Sequence, residues 1–190
     1  MSTKTEEILS NIFKYNGPLA NAYLAEYHES AIQTAATAAL VVRPSTVAAI
    51  TLWNGENVGG KSLVIDRIFS HQLVSTTAEA RSGLWYCNHL EMTKPTNDIT
   101  TLRGTGDGRE PDNSMVIVDV AAAVLDNGWF PCGDSAGSVE PTGVLPGSNL
   151  QWEVMGRIVV PPKQGLSVQV VSSVVGNTFT SGVSWWRVQL

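Results

Sequence analysis

The sequence predicts an all-β fold, a jelly-roll-like β-sandwich with an N-terminal arm. Three observations predict it. From Ala31 onward apolar residues recur with a period of two, the spacing of a half-buried strand. Clusters of Gly, Pro, Asn and Ser interrupt that stretch at short intervals. Between the interruptions no long helical period alternates with the strands, which argues for a sandwich or jelly roll over a parallel α/β sheet. The domain limits that follow are an arm over residues 1–30, partly helical, and a sandwich over residues 31–190.

The first thirty residues carry a different signal. Thr3 stands three residues before Glu6, the spacing of a capping box, and Ile8, Leu9, Ile12 and Phe13 follow at helical spacing. Gly17-Pro18 ends that pattern. Tyr15, Leu19, Tyr23 and Tyr27 then make the segment rich in apolar and aromatic side chains. Two readings of it stand side by side: a helix lying on its own domain, or an arm that ties the subunit to a neighbour or a larger surface. Ile8, Leu9, Ile12, Phe13, Tyr15, Leu19, Tyr23 and Tyr27 are the candidate partner-binding residues of such an arm.

Residues 31–42 alternate as a strand in spite of their alanines, and Arg43-Pro44-Ser45 breaks them. Val47 to Trp53 is β-rich and runs into Asn54-Gly55, a strong turn signal, with Gly59-Gly60 closing the loop. Leu63 to Val74 is a long strand with room for a bulge, and Leu84 to Leu90 is another strand. Thr93 to Ser114 reads as loop. Met115 to Leu125 fits a strand by its Val-Ile-Val start and a helix by its alanines. Gly128 to Gly147 reads as turn-rich. In the last third, Leu150, Trp152, Val154, Ile158 and Val160 face one way, with Gln151, Glu153 and Arg157 opposite. Pro161-Pro162 ends that strand, and Leu166, Val168 and Val170 alternate with Ser167 and Gln169. Around Trp185 and Trp186 the apolar face switches, which predicts a bulge or burial on both sides.

Composition narrows the function. The chain has 190 residues, 43% of them hydrophobic, and its mean hydropathy is +0.03, which suits one globular domain. No stretch approaches the roughly 18 consecutive apolar residues of a membrane helix. Glu6 and Glu7 stand where an export signal would turn apolar, so synthesis without export is expected. The net charge is −5 with Lys and Arg scattered, which argues against nucleic acid as a partner. Without an export signal, Cys87 and Cys132 read as reduced, partly buried thiols.

Three motifs tempt a chemical reading. Gly133-Asp134-Ser135-Ala136-Gly137 spells G-x-S-x-G and is similar to the serine stretch of trypsin-like proteases. A serine nucleophile needs a histidine base oriented by an acid. The histidines, His28, His71 and His89, lie in no matching setting, and Pro131 and Pro141 flank the motif where an elbow needs a strand and a helix. A surface loop is the expectation. Gly104-Thr105-Gly106-Asp107-Gly108 is followed by Arg109-Glu110 and not by the Lys-Ser/Thr of a phosphate loop. His89 and Glu91 share a strand face, but no His-x-His accompanies them as in the cupins. No catalytic residue, metal or cofactor is therefore expected. Among the tryptophans, Trp152 and Trp185 fall on apolar faces, while Trp53, Trp85, Trp129 and Trp186 suit a core, a subunit interface or sugar stacking.

Leu52-Trp53-Asn54-Gly55, followed by Gly59-Gly60-Lys61 and the strand through Arg67, resembles a pattern in jelly-roll structural proteins of tailed phages. The turn Leu145-Pro146-Gly147, the run Val160-Pro161-Pro162 and the ending Phe179 to Trp185 resemble them as well. The likeness spans residues 31–190, rests mostly on turn chemistry, and leaves the arm without a counterpart. It implies a capsid cement or decoration protein: a homotrimer on the virion's outer face that binds the major capsid protein and carries out no catalysis. A head fibre, a receptor-binding tip or a carbohydrate-binding module are the alternatives.

Overall fold

The computed structural model describes residues 28–36, 43–44, 48–74, 79–90, 92–95, 102–103, 116–119, 128–139, 149–173 and 177–188. Among them run β1 (His28–Ala36), β2 (Ile50–Asn54), β3 (Ser62–Val74), β4 (Glu79–His89), β5 (Leu102–Arg103), β6 (Val116–Asp119), β7 (Trp129–Val139), β8 (Asn149–Val160), β9 (Gly165–Ser172) and β10 (Thr178–Val188). They form two antiparallel sheets, ordered β5-β1-β10-β3-β8 and β6-β2-β9-β4-β7.

With the short β5 and β6 set aside, the remaining strands pair as one long hairpin folded over on itself. β1 pairs with β10, β2 with β9, β3 with β8 and β4 with β7. The contacts β10–β3 and β9–β4 then join the pairs into two sheets. This nested order is that of a jelly roll. β5 and β6 extend the β1 and β2 edges.

The local sequence explains most of these strands. In β8, Leu150, Val154, Ile158 and Val160 are buried while Gln151, Glu153 and Arg157 are exposed, the alternation that a period of two demands. β3 carries its bulge at Asp66. Arg67 pairs with Ser184 and Ile65 with Trp185, so Asp66 is the extra residue, and the inward face passes from Ile68, Ser70 and Gln72 to Ile65 and Leu63. β10 keeps one inward face through Phe179, Ser181, Val183 and Trp185, and Trp186 is half-buried on the other face, so the apolar pair at 185–186 reflects burial on both sides.

Three segments differ from expectation. β1 begins at His28, ahead of Ala31. The turn-rich stretch after Gly128 holds an eleven-residue strand, β7, whose Pro131 pairs opposite Trp85. β7 is the last strand of its sheet, and an edge tolerates a residue that cannot donate to a ladder. Within the segment read as loop, Leu102–Arg103 pairs with β1. Val116–Asp119 is a strand, as its β-branched residues favour.

The core lies between the sheets. Ile50 and Leu52, Leu63 and Ile65, Val160, Leu166 and Val168, and Trp185 fill one end of it. Toward the other end the inward positions become polar, with Ser70, Gln72, Ser82, Ser172, Asn177 and Ser181 all buried.

Candidate functional site

The arm residues named above, Ile8, Leu9, Ile12, Phe13, Tyr15, Leu19, Tyr23 and Tyr27, lie outside the described residues, as do Gly104 to Gly108 and Glu91. The described chain supplies two other places where side chains converge: a lateral seam and a corner.

The seam runs where β7 and β8, the outermost strands of the two sheets on one side, face each other. Phe130 on β7 is 58% exposed. Its ring stacks on Tyr86 of β4 with 5.7 Å between centroids, and Tyr86 meets Trp152 of β8 at 5.2 Å. Burial raises the Tyr86 hydroxyl above its ordinary pKa, and the neighbouring Cys132 adds to that. The Arg157 guanidinium lies 5.7 Å above the Trp152 ring.

Arg157 also shapes the backbone beside these rings. Glu153 pairs with Arg67 and Ile158 with Ile65, so residues 154–157 stand opposite Asp66 alone. Arg157 closes this excursion by donating from Nε to the Val154 carbonyl and from Nη2 to the Glu153 carbonyl, each at 2.9 Å. Met155 and Gly156 both adopt positive φ, 52° and 76°. A methionine in the left-handed region is sterically costly, and here it leaves Met155 48% exposed. The excursion interrupts a long free edge, a known device against strand-to-strand association. What the seam offers another molecule is therefore side chains, namely Phe130, Met155 and the rims of Tyr86 and Trp152.

The corner joins the two connections that cross between sheets, 55–61 from β2 to β3 and 161–164 from β8 to β9. Asn54 ends β2 and is fully buried. Its Nδ2 donates to the carbonyls of Lys61 and Val160, both at 3.0 Å, and its Oδ1 accepts from the Glu56 backbone N–H at 3.1 Å. The Asn54 N–H donates to the Gln164 carbonyl, and the Lys163 N–H donates to the Asn54 carbonyl. Lys163 Nζ donates to the Gly55 carbonyl at 2.9 Å and lies 5.6 Å over the Trp53 ring. Gly59 turns the loop at φ 85°, and a Cβ on Gly60 would collide with the Asn57 carbonyl. The turn residues read from sequence as separate signals, Trp53-Asn54-Gly55, Gly59-Gly60-Lys61 and Val160-Pro161-Pro162, are thus one hydrogen-bonded unit.

The tempting motifs land elsewhere. Ser135 lies within β7, in the irregular stretch between Cys132, opposite Leu84, and Ala136, opposite Ser82, and not in the loop expected for it. His89 is buried and its Nε2 is 2.7 Å from Ser167 Oγ, which in turn is 2.9 Å from Thr51 Oγ1. Ser167 is fully buried, so this chain of hydroxyls and imidazole ties three strands together on the outer face of the β2-β9-β4 sheet. Trp53, Trp129 and Trp185 are buried, and Trp85, Trp152 and Trp186 are half-buried, so no tryptophan presents an open face. Cys87 and Cys132 are buried thiols not joined to each other, and Cys87 Sγ lies 3.8 Å from the Asn88 carbonyl oxygen.

Phe130 and Met155 were not legible as site residues. Phe130 sits in the stretch that reads as turn, and Met155 is exposed by an excursion whose sequence signal is only Gly156 inside a strand. The sequence matches no family model, and no curated protein matches it.

Proposed function

We propose that the chain is a virion structural protein of a tailed phage, a capsid cement or decoration subunit that binds the outer face of the head and stabilises it. The observation that supports this reading most is the jelly-roll strand order, an architecture used by viral capsid proteins, lectins and cupins. Three of the turn motifs that resemble phage jelly rolls, Trp53-Asn54-Gly55, Gly59-Gly60-Lys61 and Val160-Pro161-Pro162, meet in one hydrogen-bonded corner, which favours this reading. Fold alone does not carry function, and two further features favour assembly. The β8 edge is broken against strand addition, and apolar side chains stand exposed beside it.

In this reading the partners are two further copies of the chain and the major capsid protein, with no cofactor. The seam at Phe130 and Met155 contributes to contacts between subunits. The arm over residues 1–30 reaches the capsid lattice through its aliphatic and aromatic side chains, gaining contact area at an entropic cost. The test is occupancy of undecorated heads by the full chain and by a chain lacking residues 1–27. The full chain binds; the shortened one keeps its β-sheet circular dichroism and no longer binds. Equal occupancy by both would remove the arm as tether, and no binding by the full chain would remove the capsid reading itself.

A further inference from the structure

We propose that Asn54 is a covalent modification site, held dormant by the corner and converted to aspartate or isoaspartate once the corner opens. Asparagine followed by glycine is the sequence most prone to this reaction, because glycine has no side chain to shield the attacking amide. The Gly55 nitrogen loses its proton to solvent base and bonds to the side-chain carbon of Asn54. The bond from that carbon to Nδ2 breaks, and the nitrogen leaves as ammonia. Water then opens the resulting cyclic imide at either carbonyl, giving aspartate or isoaspartate. Water and hydroxide are the sole co-reactants.

The folded corner opposes each requirement. Asn54 is fully buried, which keeps water from the carboxamide. Its two side-chain heteroatoms are engaged, Nδ2 with the Lys61 and Val160 carbonyls and Oδ1 with the Glu56 N–H. Turning the side-chain carbon onto the Gly55 nitrogen breaks all three bonds. The Gly55 peptide is itself held through its carbonyl by Lys163 Nζ at 2.9 Å. Reaction therefore proceeds through opened molecules, and its rate reports the population of the open corner.

The reaction also runs one way structurally. In the product a carboxylate oxygen replaces Nδ2, and it faces two backbone carbonyls, acceptor against acceptor, in a buried site. Isoaspartate adds the further fault of a lengthened main chain. A corner that opens long enough to react does not close again as it was, so the two crossing connections become permanently loosened.

The experiment follows residue 54 by peptide mass spectrometry at mildly alkaline pH in the full chain, folded and in urea, alongside Lys163→Ala. Deamidation is expected at least about tenfold slower in the folded chain than in urea, with Lys163→Ala in between. Equal rates folded and unfolded would overturn the gating. Asn54→Asp, which stands for the product, is expected to lower the urea midpoint at pH 7. It should recover part of that loss on acidification, because a protonated carboxyl regains one donor. This follows the sign for a carboxyl whose folded pKa is raised: its stability contribution is present at low pH and lost as pH rises. An Asn54→Asp midpoint equal to that of the parent chain at pH 7 would overturn the one-way claim, and the rate comparison stands whether or not that variant folds.

Discussion

The two ends of the sandwich interior are built on the same strands from opposite chemistry. At the corner end, β3 contributes Leu63 and Ile65 and β10 contributes Trp185. At the far end the same two strands contribute Ser70, Gln72 and Ser181. β9 likewise passes from Leu166 to Ser172. Both ends are buried, so burial alone does not distinguish them. An apolar side chain removed from water contributes about 1.5–3 kcal/mol. A buried polar pair such as Ser70 with Ser181, 3.0 Å apart, nets about 1 kcal/mol, and losing one partner costs more than the pair contributes. The far end also buries Phe179 opposite Gln72 and Leu150 opposite Ser70, so it mixes apolar with polar side chains where the corner end is almost wholly apolar, and more of the hydrophobic stabilisation falls at the corner end. β1 also starts at that end, with His28 opposite Trp186.

The comparison can be broken most directly by Trp185→Ala, which empties the centre of the apolar end. It should cost about 3–5 kcal/mol in urea unfolding; a loss below 1 kcal/mol would mean that the corner end is not where stability sits. Cys132 tests the middle of the interior. Burial pushes its thiol from 9.0 up to about 12. The folded pKa lies above the unfolded one, so stability is intact below pH 9 and declines as pH rises toward 12, by about 1.4 kcal/mol per pH unit. Cys132→Ala should lose that part of the decline in a series of urea titrations; an unchanged slope would place the cause in other groups.

At the polar end, Ser70→Ala and Ser181→Ala should each cost about 1–2 kcal/mol, and the double variant less than their sum, because it leaves no hydroxyl stranded. Additive losses would show that the two hydroxyls do not serve each other. The smallest effect is expected at the seam. Met155 adopts φ 52°, so Met155→Gly should stabilise the fold by up to about 1 kcal/mol while removing an exposed contact. A destabilised Met155→Gly would show that the methionine side chain contributes more by packing than its backbone costs.

Much of this fold was legible because one-sided burial writes itself into a strand. β8 could be read from Leu150 to Glu153 and from Ile158 to Val160, with the excursion at 154–157 unseen, and the bulge in β3 from the apolar residues on either side of Asp66-Arg67. β7 was not legible, since an edge strand needs donors on one side only and can carry Pro131, Gly133 and Gly137. Asn54-Gly55 was readable as a turn, but not as a clamp: its partner Val160 lies 106 residues away, and no local pattern encodes that pairing. The seam escaped for a similar reason, since Tyr86, Phe130 and Trp152 come from three strands and meet only when the sheets close.

An assembling subunit is the centre of this account, and the native mass in solution tests it most directly. Light scattering on the purified chain should give a mass near three times 20.3 kDa. A mass of 20.3 kDa at every concentration tried would contradict it.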